Sequence, residues 1–214
     1  MNSLRNPAIN TSLEEVLTRD RLEKYLEAAS GDLDHALSLY ERNSRIAEAF
    51  YTPLQTLEIC LRNRIHRNLS LAYGSRWFEA NSVPLQSDVR RDIDRAKAAI
   101  LQSRKLITTG RIVAELNFGS WVSLLGPRYD ATLWRRSLFS AFRETGRNMR
   151  RDRVHRRLNA LRRLRNRIAH HEPIFHRDLE TDHAEVIEAI RWMSADTADW
   201  AMLTSRFPEV FRAG

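Results

Sequence analysis

Residues 148–171 read NMRRDRVHRRLNALRRLRNRIAHH, and their spacing decides what kind of fold to expect. At 3.6 residues per turn, Val154, Leu158, Leu161, Leu164 and Ile168 fall on one side, the stripe by which a helix enters a core. Asn159, Arg163, Asn166 and His170 fall together on a flank, and Asn166 and His170, four apart, can meet. The residue before a proline avoids the α region, so the approach of Pro173 places the helix end at His171 or Glu172. Arg165 breaks the pattern by lying within the apolar stripe. A guanidinium cannot deprotonate to escape burial, so it needs a carboxylate or a phosphate. Glu58, at the edge of the stripe of an earlier helix, is the candidate partner. The other solution is a packed stem with the guanidinium led out to the surface.

The rest of the chain carries the same period. SLEEVLTRDRLEKYLEAAS opens with Ser12 and Glu15 as a capping box, DLDHALSLYERNSRIAEAF follows Gly31, and TPLQTLEICLRNRIHRNLSLAYG ends at Gly74. Thr52 and Pro53 fit either a helix start or a kink in a helix that runs through. SDVRRDIDRAKAAILQ starts at Ser87 and buries Val89, Ile93, Ala96 and Ile100; GRIVAELNFGSWVSLLG reads as one helix stopped by Gly126 and Pro127. A short LWRRSLFSAF and a closing LETDHAEVIEAIRWMSADTADWAML complete an all-α fold. No segment alternates as a strand does. The expected organisation is a flexible arm over residues 1–12, one helical domain over 13–205, and a tail over 206–214. LRNRIHRNL at 61–69 echoes LRNRIAHHE at 164–172; a single match of that length reads as chance or local convergence.

Composition narrows the setting. One cysteine, Cys60, excludes an internal disulfide, no apolar run approaches a membrane span, and MNSLRNPAINTSLEE lacks the apolar stretch of a signal peptide. A cytoplasmic protein with no membrane partner is expected. From Arg143 to Arg177 twelve arginines face three acids, while the remainder of the chain is close to neutral. Arginines outnumber lysines thirty-two to three, a bias that genome composition alone can produce, though not its clustering. The block reads either as a footprint for nucleic acid or as a solvated basic face. In the first reading Arg156, Arg157, Arg162, Arg163 and Arg167 are the RNA-binding residues. P-loop, GxGxxG, CxxC and HExxH patterns are absent.

Arg165, followed directly by Asn166 and then by His170, resembles the ribonuclease motif of the HEPN superfamily. More closely, the ordered segments ALSLYERN, LEICLRNRIHRNL, GRIVAELNFGSWVSLLG, LWRRSLFSAF, LRRLRNRIAHHEPI and RWM before Trp200 resemble the Abi-like (abortive infection) proteins of bacteria. The resemblance implies a HEPN-like helical bundle with additional N-terminal helices, a homodimer, and a metal-independent endoribonuclease serving phage defence or a toxin–antitoxin system. It implies RNA as substrate, an RNA or protein antitoxin as a further partner, no cofactor, and Arg165, Asn166 and His170 as catalytic residues. Some HEPN proteins are not nucleases, and a non-catalytic RNA- or protein-binding module of the same fold is the alternative.

Those residue types suit the chemistry. RNA carries its own nucleophile, the 2′-OH; histidine titrates near neutrality and moves the proton, and arginine holds the phosphate oxygens. One histidine per chain serves half of an acid–base cycle, which is a physical reason to expect two chains at the site. Glu58 and His171 are supporting candidates. His171 faces the other border of the core stripe and reads as a hydrogen-bonded structural residue rather than a second catalyst. His170, His171, His176 and His183 match no zinc spacing, so no metal is assigned. Trp77, Trp121, Trp134, Trp192 and Trp200 read as core rather than as stacking platforms.

Overall fold

In the computed structural model, which describes residues 5–145 and 149–213, there is no strand among those residues; the fold is all-α. Residues 1–4 of the expected arm, Arg147 of the basic block and Gly214 of the expected tail lie outside them.

The first helix, α1 (Pro7–Leu17), starts six residues earlier than the capping box suggests. Asn6 is the actual cap: its side chain accepts from the Ile9 amide, and Pro7 occupies the first turn, where its missing N–H costs nothing. Ser12 lies inside this helix, so the expected flexible arm is helical from residue 7. Arg5 then ties the start of the chain down through Asp34, at 3.0 Å, and Glu41, at 2.9 Å. Thr18, at φ +68°, separates α1 from α2 (Arg19–Ala28), where one continuous helix was expected.

Next come α3 (Leu33–Ala49), capped by Asp32, and α4 (Tyr51–Tyr73). The pair resolves the alternatives at Pro53. No side chain caps α4, and the break falls at Phe50, directly after Ala49, the residue whose carbonyl the proline cannot satisfy. The expected helix start holds for α5 (Ser87–Gln102), with Val89, Ile93, Ala96 and Ile100 all buried. The single helix expected over 110–126 is two, α6 (Thr109–Glu115) and α7 (Phe118–Ser123), because Asn117 turns its side chain onto the Ser120 amide and caps a new helix. Short irregular helical turns over residues 127–145 lead to α8 (Arg151–Ala169). The chain closes with α9 (Leu179–Arg191), α10 (Ala195–Thr204) and α11 (Phe207–Arg212). The last of these lies in the stretch read as a tail, with Phe207 buried against Phe50 and His183.

Two apolar clusters result. The large one gathers the end of α3 and α4 through α11, with Val154, Leu158, Leu161 and Leu164 of α8 buried in it as the stripe requires. A small one joins α2 and α3 around Leu22, Tyr25 and Leu37 and takes in Phe175, the ring of which lies 5.1 Å from that of Tyr25. Trp77, Trp121, Trp134 and Trp192 are core residues; Trp200 departs from the expectation, since it is exposed on α10.

Candidate functional site

The site is organised by how α8 ends. The helix stops at Ala169, two to three residues before the position expected from Pro173. The His171 amide donates to the Ile168 carbonyl at 3.0 Å and the Glu172 amide to the Arg167 carbonyl at 2.8 Å, a paired closure that puts His171 in the left-handed position, φ +56°. That position usually belongs to glycine, and a histidine there costs about 1 kcal/mol. The reversal sends the two adjacent histidines different ways. His170 is the exposed C-cap, and its amide donates to the Asn166 carbonyl at 2.9 Å. His171 turns toward α2, where its carbonyl accepts from the Arg21 guanidinium.

After the reversal, Asn43 of α3 holds the chain. Its buried Oδ1 accepts from the amides of Ile174, at 2.7 Å, and Phe175, at 3.2 Å. One side chain thus positions the exit from α8. The sequence offered only the presence of an asparagine on the helix face that also carries Ala36 and Ile46.

Between α2, α3, α4 and this helix end runs an open groove of about 1140 Å³. Leu54, Ile59 and Ile168 supply its apolar surface; Arg21, Glu58, Arg62, Arg165 and His171 bring the chemistry. The Arg165 guanidinium lies 3.5 Å from Glu58, the partner expected from the wheel. Both earlier alternatives hold in part, because the Arg165 side chain remains 39% exposed while paired. The contact is loose beside the Arg177–Asp182 pair, whose two hydrogen bonds measure 2.6 and 2.7 Å. His170 and Asn166 are not among the groove-lining residues; Arg165 and His171 are. The structure therefore brings Arg165, Glu58 and His171 together and leaves His170 on the adjoining surface.

The basic block divides by partner. Arg156 is exposed and lies 3.3 Å from Asp152, and Arg163 is exposed. Arg157 is held by Glu185 at 3.0 Å, with its guanidinium carbon 6.0 Å from the centre of the Trp192 ring. Arg162 donates to Asn159 at 3.0 Å, and its stem runs past Gly119 of α7. Arg167 pairs with Glu172 at 3.3 Å. Of the five residues read as RNA-binding, Arg156 and Arg163 present their charge to solvent, while Arg157, Arg162 and Arg167 are engaged inside the fold.

The remaining histidines are placed apart from one another. His183 is buried, bonded to Ser205 at 2.9 Å and stacked on Phe207, and burial pulls its pKa below the usual histidine range. His176 is exposed, and its pKa is lowered by partial desolvation and by Arg167, Arg177 and Lys24. Among the described residues no group of three His, Cys, Asp or Glu could hold a metal ion, and no helix is long and apolar enough to cross a membrane. Comparison with protein-family models, curated proteins and solved structures finds no match for this chain.

Proposed function

We propose that this chain is a metal-independent endoribonuclease of the HEPN type, acting in phage defence or as the toxin of a toxin–antitoxin pair. The observation that carries the reading is the end of α8, where a half-exposed, loosely paired arginine lines an open groove and an exposed histidine follows five residues later on the adjoining surface. In the proposed reaction His170 takes the proton of a 2′-OH, the 2′-oxygen bonds to the adjacent phosphorus, and the bond to the 5′-oxygen breaks. A 2′,3′-cyclic phosphate and a 5′-hydroxyl result, the leaving oxygen taking its proton from a second acid. Arg165 neutralises the charge that builds on the phosphoryl oxygens. The second acid is the reason to propose a homodimer, since a second copy brings a second His170. The exposed Arg156 and Arg163 supply long-range attraction for the strand.

RNA cleavage by the wild-type protein and by His170→Ala, with analysis of the product ends, tests the reading. Products with 5′-phosphates, or a reaction that EDTA stops, would replace 2′-OH attack by metal-activated water. A second reading has its own support. Arg165 lines the groove and His170 does not, as suits a module that grips RNA or a protein without cutting it. Binding without cleavage, unaffected by His170→Ala, would select it.

A further inference from the structure

We infer that the groove beside α4 is a binding site for a nucleotide, with Arg62 and Arg165 holding a phosphate group and Tyr51 offering its ring to the base. The argument starts at Arg62. Its Nε is buried and has no hydrogen-bond partner, and among the described residues no carboxylate pairs with its guanidinium. Glu58, one turn earlier on α4 and so a natural partner for Arg62, is turned to Arg165 instead. A guanidinium with a buried, unsatisfied nitrogen is costly to keep and cannot be neutralised by losing its proton. An anion delivered to the groove removes that cost.

The balance of charge along the groove points the same way. Its second acid, Glu48, is 3.5 Å from Arg206. Arg21, which also lines the groove, spends its guanidinium on the neutral carbonyl of His171. With Glu58 only loosely on Arg165 and Glu48 on Arg206, the three lining arginines keep more positive charge than the acids of the groove offset. Phosphate suits two guanidiniums approaching from different helices, because it offers several oxygens to paired N–H donors. The apolar surface from Leu54 and Ile59, with the 64%-exposed ring of Tyr51 also lining the groove, then accommodates a flat base rather than a bare ion. The inference does not rest on cleavage, since the same site would serve a protein that never cuts.

The phosphate ester has two sources, a segment of an RNA strand or a free mononucleotide, and titration separates them. Binding of a labelled single-stranded RNA decamer, of a nucleoside 5′-monophosphate and of inorganic phosphate is measured for the wild type, Arg62→Gln, Arg62→Lys, Tyr51→Ala and His170→Ala. The decamer is 2′-O-methylated, so that cutting cannot confuse the reading. Arg62→Gln should weaken binding about tenfold. If the decamer is the ligand, the slope of log affinity against log salt should fall by about 0.7, the value for one phosphate on a single strand. Arg62→Lys should keep the slope without recovering full affinity, and Tyr51→Ala, a change at an exposed ring, should weaken both nucleotide ligands but not phosphate. His170→Ala should bind like the wild type; a wild type that binds the decamer here yet leaves unmodified RNA uncut overturns the nuclease reading and leaves the groove assignment standing. Competition by the monophosphate identifies a free nucleotide as an accepted ligand; binding of the decamer alone identifies a strand segment. The unliganded Arg62→Gln protein should melt at or above the wild-type temperature, because an unsatisfied buried nitrogen has been removed. A folded Arg62→Gln protein with unchanged affinity and slope overturns the assignment. So does a marked loss of its unliganded stability, or a wild type that binds neither nucleotide ligand.

Discussion

LRNRI occurs at 61–65 in α4 and again at 164–168 in α8, and the two copies do different work. In both, the leucine is buried and the arginine after it lines the groove. The difference lies downstream. In α4 the helix continues for eight residues beyond Ile65, and His66 is drawn inward, where its Nδ1 accepts from the Trp77 indole at 3.0 Å. In α8 the helix stops one residue after Ile168, and the next histidine is left on the surface. A side chain's role is set here by the distance to the helix end as much as by its neighbours in sequence. Glu58 sharpens the contrast, because it lies on the same helix as Arg62 yet bonds to Arg165.

The largest expected effect tests that contrast at the second position after each copy. His170→Ala should reduce RNA cleavage by about 10²- to 10⁴-fold, the usual worth of a general acid or base, while Arg67→Ala, its exposed counterpart in α4, should leave the rate unchanged. Equal losses in single-turnover rates would mean that the histidine acts through charge alone. Asn43→Ala should destabilise the fold by about 2 kcal/mol, since the amides of Ile174 and Phe175 lose their acceptor. Denaturant unfolding measures this. His66→Ala, which removes one acceptor from Trp77, should cost about half as much.

The pH dependence follows the buried rings. Burial lowers the pKa of His66 and His183, and it does so for His155 together with Arg151 and Arg162. Folded, these rings release protons that the unfolded chain still binds once the pH drops below about 6.5, so that stability is full above that value and drains away below it. Melting curves between pH 7.5 and 5 should show Tm falling on the acid side, and His183→Gln should flatten the fall. The smallest effect concerns the reversal after α8. His171→Gly should stabilise the protein by up to about 1 kcal/mol, because glycine accepts φ +56° without steric cost. A higher denaturant midpoint with an unchanged slope would confirm relief of strain at that residue.

The stripe of α8, the start and burial of α5 and the Arg165–Glu58 pair were legible because each depends on the helical period and on the charge a core refuses. Asn6–Pro7 is a readable start signal that competes with the Ser12–Glu15 box, and that box lies within α1. The end of α8 was hidden for a different reason. Chain reversal there uses histidine in a place that glycine normally marks, so the nearest readable stop was Pro173. The groove was hidden because its walls come from four helices, and nothing local in the arginine-rich stretch tells which of its charges Glu185, Glu172 or Asn159 will claim.

Ile174 and Phe175 are consecutive, yet the first is packed in the large cluster and the second in the small one. That peptide link therefore adds a second tie between the two bodies to the one made by α3, which runs from Leu37 in the small cluster to Ile46 in the large one, and its amides are fastened to Asn43. The N-terminal helices cannot swing away from the bundle without drawing Phe175 out from beside Tyr25 or tearing both amides from Asn43. Deuterium uptake at those two amides would thus clock the parting of the bodies. It should be slow, and it should quicken at both sites in step.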